Sequence, residues 1–256
     1  MDAINSFPAF LLIFMRVGAF FATVPIFSYR NIPNVHKIGL AAFLSWIMLF
    51  ALGAPEVAVN GEFILLVFKE ALVGLSLGLI ASILFYSIQV AGGFIDLQMG
   101  FAIAGVFDPQ TGVQTPLLGK FLYQLALLFL LALNGHYLLL DGLFYSYSFV
   151  PLTDVHFGLG DAETARHAVS VVTAMFVIAF QMALPIVGTL FLVDLALGIV
   201  ARTVPQINIF AVGLPLKIIV AFGILLIILP VFFMSIQHLS DETAQAMRKL
   251  LLLLGE

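Results

Sequence analysis

The sequence predicts an all-α, membrane-associated protein with about six hydrophobic helical segments, and three observations predict it. Of 256 residues, 62% are hydrophobic and only 9% are charged, with a mean hydropathy of +1.17. Soluble domains run at about 45–50% apolar and about 25% charged, so this chain has too little polar surface to coat a soluble globule. The apolar residues also gather into six stretches, each near or above the roughly 20 residues that a spanning helix needs. Short polar or Pro/Gly-marked joints separate the stretches.

Segment one covers 3–24 and opens Met1-Asp2, with its first positive charge, Arg16, inside the apolar run. A cleavable signal peptide has a positive leader before its apolar core, so insertion without cleavage is expected. After the joint PIFSYRNIPNVH (25–36) comes segment two, 37–55, and after APEVAVNGE (54–62) segment three, 63–90. The fourth spans 118–147, following DPQTGVQTP (108–116). The fifth, 167–202, follows TDVHFGLGDAETAR (153–166), where Asp161 or Thr164 supplies a cap. At roughly 36 residues it would be about 54 Å long, against a hydrocarbon core of about 30 Å. Either it kinks at Pro185 or it leaves the bilayer. TVPQIN (203–208) leads to the sixth, 211–238.

Several function classes fall away. The net charge of −4 is scattered and forms no basic stripe, so nucleic acid is not an expected partner. Cysteine is absent, which removes disulfides and thiol chemistry. The five histidines show no metal-ligand spacing, no Gly-rich phosphate loop with its Lys occurs, and no cofactor is expected. Gly74, Ser76 and Gly78 match G-x-S-x-G, but a nucleophile elbow needs a strand and a sharp turn, and this match lies in a helical pattern. Positive charges favour the odd joints as cytoplasmic, while Arg248 and Lys249 argue the reverse.

Three regions carry the remaining signal. Glu70, Gly74, Gly78, Ser82 and Tyr86 recur at a spacing of four and share one helix face. The small residues let another backbone approach closely, either in a neighbouring subunit or within the chain. Asp194, Gly198 and Arg202 also share a face, in a segment that includes Pro205, Gln206, Asn208, Pro215 and Lys217. Ionised groups in hydrocarbon cost about 2.5–3.5 kcal/mol each, so they face protein or water. Asp194 and Arg202 are about 12 Å apart along the axis, so Arg16, Lys69 or Lys217 is at least as good a partner for Asp194. A proton or ion relay is the alternative. Finally, 91–116 is broken by glycines and X-Pro pairs and carries Phe94, Phe101 and Phe107. Irregular backbone at membrane depth must be buried in protein or line a cavity, which suggests a constriction or plug, with an ordinary surface loop as the other reading.

Four blocks resemble the FliR-type export-gate family of flagellar and related type III secretion systems: RVGAFFATVPIFSYRNIP (16–33), KEALVGLSLG (69–78), GGFIDLQMGFAIAGVFDPQTG (92–112) and VDLALGIVARTVPQINIFAVGLPLK (193–217). The resemblance implies one export-gate domain over 1–256, its helices paired in hairpins and stacked in a helical assembly. It also implies one copy joined to FliP and FliQ, with FlhB and FlhA nearby, at the bacterial inner membrane in the flagellar basal body. Such a gate passes unfolded flagellar proteins and is not an enzyme. By the same resemblance, Phe107, Asp108, Pro109, Gln110, Thr111 and Gly112 form a pore plug. Glu70, Gly74, Gly78 and Ser82 form a helix-contact stripe. Asp194, Gly198, Arg202, Pro205, Gln206, Asn208 and Lys217 serve subunit contacts and the cytoplasmic entrance. The rival expectation is a stand-alone small-solute transporter whose substrate site uses Glu70, Asp194 and Arg202.

Overall fold

Several helix ends in this chain fall where proline removes a backbone donor or where a residue turns left-handed. The computed structural model describes residues 6–29, 31–53, 55, 57–101, 116–155, 158–204, 206 and 208–255. Among them are seven α-helices: α1 (Phe7–Thr23), α2 (Asn34–Ala51), α3 (Gly61–Met99), α4 (Leu117–Ala132), α5 (Gly135–Phe149), α6 (Ala162–Thr203) and α7 (Ile209–Leu254). Proline stands in the first turn of α1 and at the N-caps of α2 and α4, where its missing N–H costs nothing. Gly53 and Gly100 take positive φ just beyond α2 and α3 and stop them. Asn208 caps α7, its side-chain oxygen accepting from the Ala211 amide at 3.3 Å.

The helices depart from the expected segments in three places. α3 runs to Met99 instead of ending at 90, carrying Gly92 and Gly93 inside it. Their poor propensity is offset by packing, since Gly92 lies directly against the Gly119 backbone of α4. The fourth segment is two helices, because Asn134 adopts φ 59° between them. The sixth continues past 238 to Leu254. Its last turns are amphipathic, not uniformly apolar, with Leu239, Thr243, Met247, Leu250, Leu251 and Leu254 buried at helical spacing. α6 continues through Pro185 as one helix, and Asp161 sits before it with its carbonyl accepting from Ala165 at 3.1 Å. Thr164 donates back to the Gly158 carbonyl at 2.8 Å.

Among the described residues, four helices, α2, α3, α6 and α7, are long and apolar enough to cross a membrane, or up to five spans if α4 and α5 together make one. This all-α membrane architecture agrees with the fold class read from composition. Contacts gather the chain into two units: Met1–Leu84, Asn134–Val172 and Leu239–Glu256 form the first, and Phe85–Leu133 and Thr173–His238 the second.

In the first unit, α1 presents Ala9, Leu12, Ile13, Val17 and Phe20 as a buried stripe. It packs on α2, where Phe10 meets Trp46 edge-on at 5.9 Å. In the second, Phe129 of α4 stacks on Phe233 of α7 at 4.0 Å. Ile95, Leu122, Ile186 and Leu225 line one small cavity there, so α3, α4, α6 and α7 meet around it.

Candidate functional site

The first unit is built around an ionic cluster at the centre of its apolar core. Arg16 lies mid-stripe on α1, and both it and Glu70 of α3 are fully buried. The pair is bidentate: Arg16 Nε donates to Glu70 Oε2 at 2.5 Å and Nη2 to Oε1 at 2.9 Å. Lys69 Nζ lies 2.9 Å from the same Oε1. Two cations share this one buried carboxylate, and the charge of the exposed Asp154 also acts on Lys69. The last turn of α5 answers the two cations. Arg16 donates to the Val150 carbonyl at 2.8 Å and to Ser146 Oγ at 2.8 Å. Lys69 donates to the Pro151 and Asp154 carbonyls at 2.6 and 2.7 Å. A helix C-terminus has unpaired carbonyls and the negative end of the macrodipole, so this is where positive charge is best held. The Arg16 guanidinium also stacks over the Tyr147 ring, 4.1 Å from its centroid.

Backbone proximity makes that geometry possible. A methyl group on Gly74 would fall onto the Arg16 carbonyl oxygen and lie 3.0 Å from Ala19 Cβ. One on Gly78 would meet Thr23 Oγ1 and lie 2.9 Å from the Phe20 carbonyl. Ser82 donates to the carbonyl of Thr23, the last residue of α1. Of the two readings of the Glu70–Ser82 stripe, the described contacts are therefore those with α1 of the same chain. Tyr86, at the end of the series, is about half exposed at 48%.

The second unit holds two polar anchors on the last turns of α3. Asp96, 4% exposed, accepts from the Leu118 amide at 3.0 Å and the Gly119 amide at 3.5 Å. Pro116 at the α4 N-cap has no side-chain acceptor, so Asp96 caps α4 from across the helix pair. Gly119 fits so closely that its Cβ position is 2.6 Å from the Gln89 carbonyl. Two residues on, Gln98 Nε2 donates to Asp194 Oδ2 of α6 at 2.9 Å. Lys217 of α7 lies 2.5 Å from Asp194 Oδ1 and donates to the Gln98 carbonyl at 3.2 Å. Asp96 and Gln98 thus anchor the last turns of α3, and the start of α4 is capped and packed on glycine.

The predicted residues separate accordingly. Lys217 is the partner of Asp194, whereas Arg16 and Lys69 serve Glu70. Arg202 is exposed and makes no ion pair among the described residues. Gly198 has open space around its Cβ position, Gln206 is exposed in a turn, and Asn208 is a helix cap. Phe107, Asp108, Pro109, Gln110, Thr111, Gly112 and Pro205 lie outside the described residues. Ser76 is mid-helix and donates to the Val73 carbonyl of its own turn at 2.9 Å. Glu70 is fully buried with cations on both oxygens, which leaves it no face for a solute. Sequence reasoning did not single out Asp96, Gln98, Ser146 or Tyr147. For Asp96 a signal existed: an acid in an apolar helix, and a following helix whose proline N-cap offers no oxygen.

Comparison with known proteins adds a second line of observation. Residues 7–243 match the family described as bacterial export proteins, family 1. The chain is 52% identical over 253 residues to the flagellar biosynthetic protein FliR of Bacillus subtilis (strain 168), covering 98% of each. It is 31% identical to the protein of the same name in Escherichia coli (strain K12), covering 89% of this chain and 87% of that one. It is also 28% identical to the surface presentation of antigens protein SpaR of Shigella sonnei, covering 88% and 89%.

Proposed function

This chain belongs to the bacterial export proteins, family 1, and from that premise we propose that it is an export-gate subunit of the flagellar type III secretion system. One copy joins FliP and FliQ, with FlhB and FlhA as neighbours, to form a pore that conducts unfolded flagellar proteins across the inner membrane at the flagellar basal body. It acts as a single export-gate domain and as a conduit, not an enzyme. The flagellar names of its relatives support this reading. So do the long apolar helices, whose large exposed side chains, such as Ile219 at 70% and Ile227 at 78%, need lipid or sister polypeptides to cover them.

The observation that carries the reading is the anchorage on either side of 102–115. A plug must be held at its base and released at its tip, and Asp96, Gln98 and the Gly92–Gly119 contact supply the base. On this view Phe107 and its neighbours through Gly112 close the pore. Asp194, Gly198, Arg202, Pro205, Gln206, Asn208 and Lys217 serve subunit contacts and the entrance. Glu70, Gly74, Gly78 and Ser82 keep the subunit in the shape its partners grip.

The test is deletion of residues 107–112 in the co-expressed gate, with ion leak measured across the membrane and complex mass measured after detergent extraction. The expected outcome is a higher leak from a complex of unchanged mass. Unchanged permeability with intact mass removes the plug assignment. A chain that purifies alone, needs no companions and binds a solute removes the gate assignment.

A further inference from the structure

The first unit carries a groove that the export reading does not use. It lies between α5 and the last turns of α7 and holds about 500 Å³, within the range of about 300–1,000 Å³ typical of small-ligand sites. Leu138, Tyr145 and Phe149 of α5 and Leu251 of α7 supply apolar walls. At its base the two helices are in close contact, because Met247 Cε is 2.8 Å from the Cβ position of Gly142. Two opposite charges also line the space, Asp141 from α5 and Arg248 from α7. Among the described residues, neither makes an ion pair or a hydrogen bond, with the other or with any third group.

Asp141 and Arg248 are both exposed, and beside an apolar slot they are complementary to a ligand with both charges and a hydrocarbon part. We propose that this groove binds a zwitterionic phospholipid with a primary ammonium, of the phosphatidylethanolamine class. Its phosphodiester takes the planar fork of Arg248 in a bidentate contact. Its ammonium, a donor with no acceptor capacity, goes to the Asp141 carboxylate. The first carbons of an acyl chain lie against Leu138, Tyr145, Phe149 and Leu251.

Two other occupants fit less well. An anionic phospholipid satisfies Arg248 but brings its net negative charge to Asp141. A partner helix is too large. One turn, 10–12 Å across and 5.4 Å long, fills roughly 400–600 Å³, so the groove holds one turn, whereas helix-in-groove docking uses anchors over several.

The experiment is lipid titration of the full chain in its co-expressed, delipidated complex, read by native mass spectrometry with dioleoyl phosphatidylethanolamine and dioleoyl phosphatidylglycerol. The expected result is about tenfold tighter binding of the ethanolamine lipid. Asp141→Asn should abolish that preference, and Arg248→Gln should weaken both lipids about tenfold. Asp241→Asn, exposed on α7 and outside the groove lining, should change neither. Equal binding of the two lipids by the unsubstituted chain overturns the proposal, as do adducts that ignore Asp141→Asn and Arg248→Gln. Quantitative cross-linking of Ala244→Cys to a partner polypeptide in native membranes also overturns it, since the groove is then a protein interface.

Discussion

Replacing Glu70 by glutamine is the sharpest test of how the first unit is held together. The substitution keeps shape and volume but removes the buried carboxylate that Arg16 and Lys69 share. In the unsubstituted protein that carboxylate receives Arg16 Nε at 2.5 Å, Arg16 Nη2 at 2.9 Å and Lys69 Nζ at 2.9 Å. A carboxamide can accept at one oxygen only, and its NH₂ is turned on donors. Hydrogen bonds to charged groups contribute about 1.5–3 kcal/mol each, and stranding a buried charge by removing its partner costs about 3–5 kcal/mol. The net figure of about 3–5 kcal/mol is the better one here than three such bonds summed, because the carbonyls of Val150, Pro151 and Asp154 still hold both cations. For a chain of this size about 2–4 °C accompanies each kcal/mol, so Glu70→Gln should lower the melting temperature by about 6–20 °C. Trp46, the single tryptophan, rests against Phe10 of α1 and reports the melt by its fluorescence. Arg16→Met combined with Glu70→Gln should lose less than the sum of the single changes, because the two sites share one interaction. A shift below about 2 °C for Glu70→Gln would show that the cluster does not hold α1, α3 and α5 together.

Further perturbations test the remaining contacts. Gly78→Ala should cost about 1–3 kcal/mol by overpacking α1 against α3, seen as a lower melting temperature; an unaffected melt means that the close approach is slack. Asp96→Ala should uncap α4 and cost about 1 kcal/mol, with faster amide exchange confined to the Leu118 turn; uniform exchange behaviour counts against the trans cap. Lys217→Met should shift the melt by less than half as much as Glu70→Gln, since Asp194 is 38% exposed and keeps Gln98. Ser76→Ala should leave stability and export within about 0.5 kcal/mol of the parent, and any loss of a hydrolytic activity would revive the nucleophile reading.

Much of this was legible from residue spacing. The four-residue series from Glu70 to Ser82 announced a close helix contact, and the charged residues in apolar runs announced buried pairs. What spacing does not carry is the partner. Arg16, Lys69 and Lys217 were equal candidates for Asp194, because pairing depends on which helices meet, and only the packed chain selects Lys217. The Gly-rich start of 91–116 misled for a related reason: Gly92 weakens an isolated helix, yet here it is what lets α3 lie against Gly119. The C-terminal turns of α7 lie beyond the expected segment because the uniformly apolar run stops at 238, where the pattern changes to an amphipathic one. Asp96 shows the remaining gap, since a cap supplied from another helix leaves no local motif at the helix it serves.

The wiring of Arg16 also sets a schedule for biosynthesis. Its carboxylate partner lies 54 residues downstream and its carbonyl partner 134 residues downstream. At 5–20 residues per second the ribosome needs roughly 7–27 s to deliver the second of these. Until Glu70 emerges the nascent first helix carries a guanidinium with no mate, and until Val150 emerges an incompletely paired one, which disfavours its settling alone in lipid. Completion of this subunit is thus tied to arrival of the Val150 turn, and a product truncated before that turn should be retained by the insertion machinery or degraded.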